Sequence, residues 1–461
     1  MTEAGTGGGL PASLLRRLVE ACGSTHVISD ATTLATLRSD AGRRPGGLPG
    51  VAVLPGDVDA VRAVVRACVE ARVPWVLRGA GTGLAGGARP VPGGVLIVLT
   101  RLRRVLEVAL EDGRVVVEAG VSLATVASRV APTHVLPPDP LSARVATVGG
   151  AIATDAGGPR SLKYGTVGDY VDGLDVVLPD GGLLHLRRGG AGFDLLGPLI
   201  GSAGRLGIIV AAHLRVLPTP EVTCILVTRW PSLLDAARAA RALCASPVTP
   251  AALELLDDLA LRALADAGGD RRLATHLGGA ALVVELDGPR EDLALALETT
   301  LEICGTHGVL DARVCLEPGD QEAIWATLGL GHVALRRVMA DFLLGDLAVP
   351  PAQLVPALAG LAERASASGL RVAQLARGEG ILHPVIAVEG GDLARAEALL
   401  AEMATHCRAL GGRAGAEFGD EPAAEGRPGG LPELGASFDP HGLLGSGAEP
   451  DSARGRGVAP A

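Results

Sequence analysis

A glycine-rich stretch from Val76 to Gly87 has the residue types and spacing that can hold a phosphate group. Glycines at 81, 83 and 86 reproduce the Gly-x-Gly-x-x-Gly dinucleotide fingerprint, and the apolar run 73–77 predicts a strand before them. Glycine permits positive φ, so that successive backbone N–H groups can turn toward an anion. The loop therefore predicts phosphate binding by backbone N–H groups.

The residues after this loop exclude a dinucleotide site of the Rossmann type. That site needs a helix directly after the glycines and an acid about 20 residues further on for the ribose. Here Pro90 and Pro92 follow, and proline inside a helix removes a hydrogen bond and clashes with the preceding turn. The next element is the apolar run 95–99 with no acid at its end, and no Walker-type Gly-Lys-Ser/Thr occurs. A strand–loop–strand remains, and a glycine-rich hairpin without a ligand stays an alternative for this loop alone.

A second motif lies between residues 137 and 165. It comprises Pro-Pro-Asp-Pro-Leu-Ser at 137–142, Thr-Val-Gly-Gly-Ala-Ile-Ala-Thr-Asp-Ala-Gly-Gly at 147–158 and Lys-Tyr-Gly at 163–165. Together with the first loop, it resembles the FAD domain of the vanillyl-alcohol-oxidase-type (PCMH-type) flavoproteins. The order, spacing and residue types are similar to those of the glycolate oxidase flavin subunit and of D-lactate and D-2-hydroxyglutarate dehydrogenases over most of residues 48–218.

This resemblance implies a site for FAD. In the family the first loop holds the pyrophosphate, and the second motif lies along the flavin and the ribityl chain. Relatives that attach flavin covalently through the first loop have a histidine in the glycine run, which this chain lacks, so we expect non-covalent FAD. The implied FAD-binding residues are Arg78, Gly79, Ala80, Gly81, Thr82, Gly83, Leu84, Gly86, Gly87, Pro138, Asp139, Ser142, Thr147, Gly149, Gly150, Ala153, Asp155, Ala156, Gly157, Gly158, Lys163, Tyr164, Gly165, Gly207 and Ile208.

Lys163 is the only lysine of the chain, which uses arginine for every other basic residue and contains no asparagine. Lysine and arginine are not interchangeable where a compact point charge is needed. We therefore interpret Lys163 as a functional residue, with a chance surface lysine as the alternative.

Composition limits the class of protein. The 461 residues are 48% hydrophobic and 20% charged, which indicates a globular protein of two or three domains. No apolar run approaches the roughly 18–20 residues of a membrane-spanning helix. A net charge of −10 without an arginine-rich aromatic stripe argues against a nucleic-acid partner.

The cysteine pattern and the first ten residues indicate in which cellular compartment we expect the protein. Seven scattered cysteines form no Cys-x-x-Cys, which indicates reduced thiols and neither a disulfide framework nor an iron–sulfur site. The segment 1–10 has no charged region followed by an apolar one, so we expect a cytoplasmic protein. Peripheral association with a membrane stays open.

Alternating apolar patterns predict an α+β fold. The resemblance implies a two-subdomain PCMH-type FAD-binding domain at 1–218, which we expect to end at Pro218 and Pro220. An α+β cap domain with an antiparallel sheet covered by helices follows at 219–415, with a strand at 338–349 among its elements. The chain then returns to the FAD domain at 416–446 and ends in a flexible tail at 447–461.

The resemblance also points to where chemistry belongs. In the family a divalent metal, held by two histidines and a glutamate, can polarise the substrate. The first part of that site would span residues 376–383, where His383 is present and Ala376 stands in place of the other histidine. The second part keeps Glu417, but Phe418 stands in place of the histidine that serves as base.

His383 and Glu417 are therefore the candidate catalytic residues, and no metal is expected, because a catalytic metal usually needs three protein ligands. For His383 the alternative is a histidine satisfied by backbone groups, and for Glu417 a solvated acid. His332, in the predicted loop after Trp325, is a further candidate base by position alone.

Three more departures from the family pattern occur. Leu328 replaces an arginine that could hold a substrate carboxylate with a bidentate fork. Ala203 replaces an acid in the family's Gly-Ser-Glu-Gly, and Gly445 an asparagine near the C-terminus. An apolar pocket with Leu328 and Phe418 would suit a less anionic substrate.

These observations lead to three hypotheses. The first is an FAD-dependent oxidoreductase that transfers hydride from a substrate C–H(OH) group to flavin N5, with a small-molecule substrate other than an ordinary 2-hydroxy acid. Its electron acceptor, a protein or an iron–sulfur subunit among others, stays open. The second is a catalytically idle FAD-binding subunit of a multi-subunit dehydrogenase. The third is that FAD binding has also been lost.

Overall fold

The computed structural model describes residues 9–42, 46–84, 86–190, 193–274, 278–415 and 438–445, without the side chains of residues 271, 274, 332 and 389. The described residues form two compact units. Unit 1 lies within 1–156, 166–219 and 418–461, and unit 2 within 157–165 and 220–417. The domain limits expected from the sequence stay predictions, and the excursion 157–165 is a feature that they do not contain.

The helices and strands alternate along both units. The strands are β1 Val27–Ile28, β2 Val51–Val53, β3 Trp75–Arg78, β4 Val95–Val98, β5 Val105–Ala109, β6 Arg114–Glu118, β7 His134–Val135, β8 Val171–Val177, β9 Leu183–Arg187, β10 Ile208–Arg215, β11 Leu217–Pro218, β12 Val222–Trp230, β13 Ala252–Leu256, β14 Ala280–Gly288, β15 Asp311–Cys315, β16 Phe342–Leu344, β17 Leu347–Ala348, β18 Val372–Arg377, β19 Ile381–Ala387 and β20 Arg413–Ala414. The α-helices are α1 Ala12–Cys22, α2 Ala31–Thr36, α3 Val58–Ala71, α4 Leu123–Val130, α5 Val148–Thr154, α6 Ser161–Tyr164, α7 Leu196–Leu199, α8 Leu233–Cys244, α9 Asp258–Asp266, α10 Arg271–Ala274, α11 Arg290–Thr306, α12 Pro318–Gly329, α13 Gly331–Val338, α14 Leu354–Ser368 and α15 Leu393–Ala409.

Unit 1 contains a small sheet with the order β1-β2-β4-β3, in which β4 runs parallel to both β2 and β3. Helix α3 connects β2 to β3 and begins after Asp57, whose carboxylate accepts a hydrogen bond from the Ala60 amide at 2.8 Å. Its apolar residues recur at helical spacing, and Val61, Val65 and Cys68 are buried against the sheet. Strand β3 therefore leads directly into the glycine loop.

Unit 1 also contains a five-stranded antiparallel sheet in the order β5-β6-β10-β8-β9 and a short pairing of β7 with β11. One face packs against α4 and α5 in a common core. The middle part of the second motif lies on this layer, because it contains α5.

Unit 2 is built on a nine-stranded antiparallel sheet with the order β15-β12-β14-β13-β18-β19-β17-β20, to which β16 adds by pairing with β19. Alternate residues point to opposite faces, and each face has its own hydrophobic core. Helices α8, α14 and α15 cover the first face, and α9, α12 and α13 cover part of the second. The predicted α+β class and the antiparallel cap sheet covered by helices are confirmed.

Two local predictions for unit 2 are wrong. The strand predicted at 338–349 begins only at Phe342, because residues 331–338 form α13 with Ala334 and Leu335 buried. It is interrupted at Gly345, although β16 and β17 share one register against β19. His332 consequently lies in a helix and not in a loop.

No helix among the described residues combines the length and the apolar character that crossing a bilayer requires.

Asp257 fastens α9 to the sheet of unit 2. One carboxylate oxygen accepts from the Ala260 amide at 2.9 Å and the other from the Gln374 amide of β18 at 2.7 Å. Burial nevertheless raises the pKa of Asp257 from 3.8 to about 6, since desolvation of the charge outweighs the two amides. The protonated form is thus favoured more in the folded than in the unfolded chain.

We expect this carboxyl group to make the stability of unit 2 depend on pH. The raised pKa contributes stability below pH 4 that is lost as the pH rises through 6, by up to about 3 kcal/mol. Asp257→Asn removes the titration, so the difference in unfolding free energy between wild type and variant should change across this range. Denaturant unfolding from pH 4 to 7 measures it. Asp59→Asn, at a side chain 90% exposed, is the control, and parallel curves for wild type and D257N would contradict the account.

Candidate functional site

The glycine loop of unit 1 has the backbone conformation that a phosphate cradle requires. Gly81 and Gly86 have φ values of +74° and +83°, in the left-handed region that favours glycine. A Cβ atom at Gly79 would collide with Oγ1 of Thr147, and one at Gly81 with the Arg78 guanidinium. Only glycine fits at these close approaches.

The side chain of Arg78 stabilises the loop through hydrogen bonds to backbone oxygens. Its Nη1 donates hydrogen bonds to the carbonyl oxygens of Ser39 at 2.9 Å and Ala88 at 3.5 Å. Burial lowers the pKa of Arg78, although it remains a strong base. The guanidinium therefore ties the two ends of the loop and the preceding segment together.

The tip of the loop, in contrast, faces open space. Gly83 is exposed, and a Cβ atom built there meets no described atom within 4 Å. Ala80 is exposed as well, and Thr82 and Leu84 are half-buried. Room for a ligand is thus found next to the residues predicted to bind it.

The second motif meets this loop through α5. Thr147 precedes the helix and accepts a hydrogen bond from the Gly150 amide at 3.3 Å, while its hydroxyl lies against Gly79. Gly149 lies against the backbone of Ala119, where a Cβ atom would be only 2.7 Å from that alanine's Cβ. Asp155 ends the helix in the left-handed conformation and accepts from the Gly168 amide at 2.9 Å.

A third segment joins the first two at the turn 201–204. The Gly201 amide donates to Ile152 O at 3.0 Å, and the Ala203 amide donates to Ala153 O at 2.7 Å. A Cβ atom at Gly87 would be 3.9 Å from the Ala203 side chain. The loop, helix α5 and this turn therefore converge within unit 1, with the loop at the start of the helix and the turn at its end.

Ala203 has a positive φ of 54°, which is uncommon for a residue other than glycine, asparagine or aspartate. The backbone keeps the conformation of a tight turn, although the acidic side chain of the family pattern is absent.

The remaining predicted FAD residues of unit 1 have varied surroundings. Pro138 is buried and Asp139 half-buried, and the Ser142 carbonyl accepts from the amides of Val145 and Ala146 in a tight turn. Gly207 lies against Val176, and the Ile208 side chain is fully buried in the core with α3. A contact between Ile208 and FAD would thus use its backbone.

Sequence reasoning missed the segment 39–42. The Ala41 amide donates to the carbonyl oxygens of Gly81 at 3.0 Å and Gly83 at 3.1 Å. Asp40 is 8% exposed, and its Oδ1 accepts from the Gly42 amide at 3.0 Å. Burial raises the pKa of Asp40 against the opposing effects of that amide and of two arginines. A short Ser-Asp-Ala-Gly turn carries no pattern by which this role could be found.

The residues present fit the pyrophosphate of FAD. Glycines cradle an open space that Cβ atoms would fill or distort, and the loop backbone can present N–H groups there. Arg89 lies beside the loop, with Nε donating to Gly86 O at 3.3 Å. Its positive charge and that of Arg78 favour an anion at this position.

The final part of the second motif, residues 157–165, belongs to unit 2. Lys163 Nζ donates to the backbone oxygen of Asp287 at 2.9 Å and to its Oδ1 at 2.5 Å. Tyr164 donates from its hydroxyl to Oδ2 of the same carboxylate at 2.6 Å. The single lysine of the chain is thus part of a mostly buried ion pair.

Arg160 makes a second ion pair three residues earlier. Its Nε and Nη2 donate to the two carboxylate oxygens of Glu285 at 2.8 and 2.9 Å, and the guanidinium lies 5.1 Å from the ring centre of Trp325. Burial raises the pKa of Glu285, although Arg160 opposes this shift. The bidentate geometry is the strong form of an arginine–carboxylate contact.

One sheet face of unit 2 collects these charges. Glu285 and Asp287 alternate along β14, and Glu254 of β13 lies directly opposite Arg377 of β18, with 3.2 Å between Glu254 Oε1 and Arg377 Nε. His383 lies on the same face, because it is paired with Leu375, two residues before Arg377. We call this set the charged face: Arg160, Lys163, Tyr164, Glu254, Glu285, Asp287, Arg377 and His383.

Ala376 lies on the other side of the sheet. It pairs with Leu382 and Leu255 and is 1% exposed in the core under α8 and α14. A histidine at 376 would therefore not point toward His383. Leu328, at the position of the family arginine, is half-buried against the second core together with Trp325.

His383 is half-buried, and its Nδ1 lies 3.3 Å from the carbonyl oxygen of Gly345. A carbonyl only accepts, so Nδ1 carries the proton in a neutral ring and Nε2 is the basic nitrogen. Glu417 and Phe418 lie outside the described residues, as does the His332 side chain. In the part of the chain that the structure describes, no three histidine, cysteine or acidic side chains gather as metal ligands would.

Comparison with known protein families identifies both halves of the chain. Residues 49–187 match the model of an FAD binding domain, and residues 219–420 match the C-terminal domain of FAD linked oxidases.

Curated relatives extend over most of the chain. The glycolate oxidase subunit GlcD of Escherichia coli is 32% identical over 421 residues, which cover 87% of this chain and 83% of that protein. A D-lactate dehydrogenase of Anaerostipes hadrus is 34% identical over 65% of this chain and 64% of its own length. An uncharacterised FAD-linked oxidoreductase of Mycobacterium tuberculosis is 30% identical, with 87% of this chain and 91% of that protein covered.

Solved structures agree on the fold. The 4-ethylphenol oxidase of Gulosibacter chungangensis superimposes with a TM-score of 0.75 at 17% identity, over 96% of this chain and 98% of that one. p-Cresol methylhydroxylase gives 0.75 at 16% identity, over 94% and 96%. The fold is therefore that of the PCMH-type flavoproteins.

The chain belongs to the family of FAD-linked oxidases that includes the glycolate oxidase subunits. FAD is its cofactor, and the protein is an FAD-linked oxidoreductase related to glycolate oxidase and D-lactate dehydrogenase. The resemblance inferred from the two glycine-rich motifs is confirmed.

Gly83→Ala tests whether the open space at the loop tip belongs to FAD. The added Cβ atom meets no described protein atom, and the φ of Gly83 is not in the left-handed region, so the stability of the apoprotein should not fall. We expect the dissociation constant for FAD to rise roughly tenfold or more if the phosphates lie there. Titration of apoprotein with FAD by fluorescence quenching, with thermal unfolding alongside, measures both quantities.

The matched control is Gly305→Ala, in α11, where a Cβ atom also meets nothing within 4 Å. It should leave the affinity for FAD unchanged. Equal FAD affinities for wild type and the Gly83 variant would remove the phosphates from this side of the loop.

Proposed function

We propose that this chain is an FAD-dependent oxidoreductase that oxidises the CH–OH group of an uncharged hydroxylated small molecule. The observation that carries the proposal is the convergence of the glycine loop, helix α5 and the turn 201–204 in unit 1, next to open space. The charged face of unit 2 contains His383, the residue to which we assign the hydroxyl proton of the substrate.

The FAD would be held by two sets of residues. The backbone of residues 79–87, with Arg78 and Arg89 behind it, would hold the pyrophosphate, and residues 138–158 and 163–165 would line the rest. Bound FAD supplies an acceptor for the hydride of the substrate carbon, so that the alcohol loses two electrons and its hydroxyl proton to become a carbonyl.

His383 is the residue of this chain that we assign to the hydroxyl proton. Its Nδ1 hydrogen bond to Gly345 O fixes the tautomer in which Nε2 accepts a proton. The half-buried position on β19 holds the ring on the rigid sheet. The family's own base position, Phe418, cannot accept a proton.

The charge balance of the charged face argues for an uncharged substrate. Arg160 is paired with Glu285, Lys163 with Asp287 and Arg377 with Glu254. Each cation of the set thus has a carboxylate within 3.2 Å, and Leu328 supplies no guanidinium. A substrate carboxylate placed here would have to compete with a carboxylate of the protein for every cation of the set.

A second candidate function is an FAD-binding subunit without chemistry of its own. The observation in its favour is that Ala376 and Leu328, at two positions where the family pattern has functional side chains, contribute to hydrophobic cores. Such a subunit would stabilise or regulate a complex whose catalytic site lies in another chain.

An anaerobic reduction assay separates the two functions. Purified holoprotein is mixed with D-2-hydroxy acids, primary and secondary alcohols, and sugars, and bleaching of the visible flavin absorption is followed. We expect reduction by an uncharged alcohol or sugar and much slower reduction by the acids. A flavin that dithionite reduces but no compound of the panel reduces would favour the idle subunit, and a colourless protein that takes up no added FAD would end both proposals.

His383→Gln tests the assigned base once a reducing compound is known. Glutamine keeps a polar side chain of similar size but cannot take a proton, so kcat should fall by about 100-fold or more at unchanged FAD content. The change should lie in kcat and not in KM. Substitution of His441, which is exposed in the described segment 438–445, is the control. Retention of wild-type kcat by H383Q would place the base elsewhere.

A further inference from the structure

Residues 157–165 form a separate excursion of the chain. The residues before and after them, up to 156 and from 166 to 219, belong to unit 1, whereas this segment folds with unit 2. It is also the last part of the motif that is predicted to bind FAD. We call it the crossing segment.

The crossing segment is fastened to β14 by two ion pairs. The carboxylate of Asp287, 4% exposed, accepts from Lys163 on one oxygen and from the Tyr164 hydroxyl on the other. The carboxylate of Glu285, equally buried, accepts both donors of the Arg160 fork. Both acids thus receive their hydrogen bonds largely from this one segment.

The local structure explains why these groups meet. Glu285 and Asp287 are two residues apart on β14 and point to the same face. Arg160, Lys163 and Tyr164 are three and four residues apart around the short helix α6, and that spacing puts them on one side of it. Each acid then lies opposite a cation.

The position also accounts for the single lysine of the chain. Its ammonium group donates both to the backbone oxygen and to the carboxylate of Asp287. A compact ammonium can turn its donors toward two acceptors of one residue, whereas the flat guanidinium fork fits two parallel acceptors, as Arg160 does at Glu285. The two cations are therefore matched to different acceptor geometries.

We propose that Asp287 and Glu285 are positioning residues for FAD: they hold the crossing segment in the conformation in which it binds the cofactor. The proposal rests on the FAD-binding role assigned to residues 157–165 under the proposed function. Both acids act through Arg160, Lys163 and Tyr164 and need not touch the cofactor themselves.

The lone lysine provides a direct probe of this segment. Endoproteinase Lys-C cleaves after lysine, so a chain without added lysines can be cut only into fragments 1–163 and 164–461. In the wild type the ion pair between Lys163 and Asp287 should protect the peptide bond after Lys163 from cleavage. Asp287→Asn should raise the rate of cleavage roughly tenfold or more, since it leaves the lysine charge without its carboxylate. Asp292→Asn, an exposed acid of α11, is the control.

The affinity for FAD is the second readout. The dissociation constant should rise roughly tenfold or more in Asp287→Asn, and visible circular dichroism of bound FAD should report an altered flavin environment. Glu285→Gln should act in the same direction through Arg160. It also replaces the Asp287 variant if that protein does not fold, which far-ultraviolet circular dichroism reveals.

A double variant distinguishes positioning from simple stability. Lys163→Gln with Asp287→Asn leaves no unpaired charge, so the thermal midpoint should recover toward the wild-type value. The affinity for FAD should stay low, because the lysine and its orientation are both gone. Recovery of affinity together with stability would reduce the pair to a structural role and overturn the proposal.

The remaining outcomes are also decisive. Faster cleavage at unchanged FAD affinity would show that the two ion pairs do not position the crossing segment for FAD binding. Unchanged cleavage and affinity in both the Asp287 and the Glu285 variants would show that the ion pairs hold nothing in place. Failure of the wild type to bind FAD would refute the proposed function instead. The cleavage rates of the apoproteins would still test whether the two ion pairs hold the crossing segment in place.

Discussion

Two buried acids of β14, Glu285 and Asp287, need cationic partners. This constraint links the crossing segment to the sheet of unit 2. Glu285 and Asp287 are almost fully buried, and an unpaired carboxylate in such a place costs several kcal/mol. Their partners come from a segment that lies more than 120 residues earlier and returns to unit 1 after nine residues. These two charges are thus satisfied by the segment that carries the last part of the predicted FAD motif, and the proposed positioning role would couple the conformation of that segment to cofactor affinity.

Unit 1 solves a different problem, which is to bring three backbones close together. The glycine loop approaches the start of α5 closely at Gly79 and Thr147, Gly149 of that helix lies against Ala119, and the turn 201–204 donates hydrogen bonds to the end of α5. Rigid strands on one side and a capped helix on the other hold the loop, while its tip at Gly83 stays open. This arrangement suits an extended anionic cofactor.

The sequence was most informative where local rules apply. Glycine spacing and the prolines after it predict the loop, and the apolar runs 73–77 and 95–99 predict β3 and β4 nearly as they occur. The PCMH-type fold and the cofactor could be inferred because the two glycine-rich motifs resemble those of a known family. The order of the nine strands, the role of Asp40 and the partner of Lys163 could not, since they depend on contacts between residues far apart in the chain.

The face of the sheet to which a side chain points could not be predicted from the sequence either. Ala376 looks like the replacement of one ligand beside His383, yet strand pairing puts the two on opposite sides of the sheet. The predicted strand at 338–349 was partly wrong, because α13 extends to Val338 and the strand begins only at Phe342. Glu417 and Phe418 keep their status as predictions.

The central claim is that the site oxidises an uncharged CH–OH group, since each cation of the charged face already has a carboxylate. The most direct test compares two substrates with the same carbon skeleton, (R)-1,2-propanediol and D-lactate, in anaerobic stopped-flow reduction of the bound FAD. The account predicts that the diol reduces the flavin faster than the acid at equal concentration. Faster reduction by D-lactate would contradict it and would show that a cation of the face leaves its carboxylate for that of the substrate.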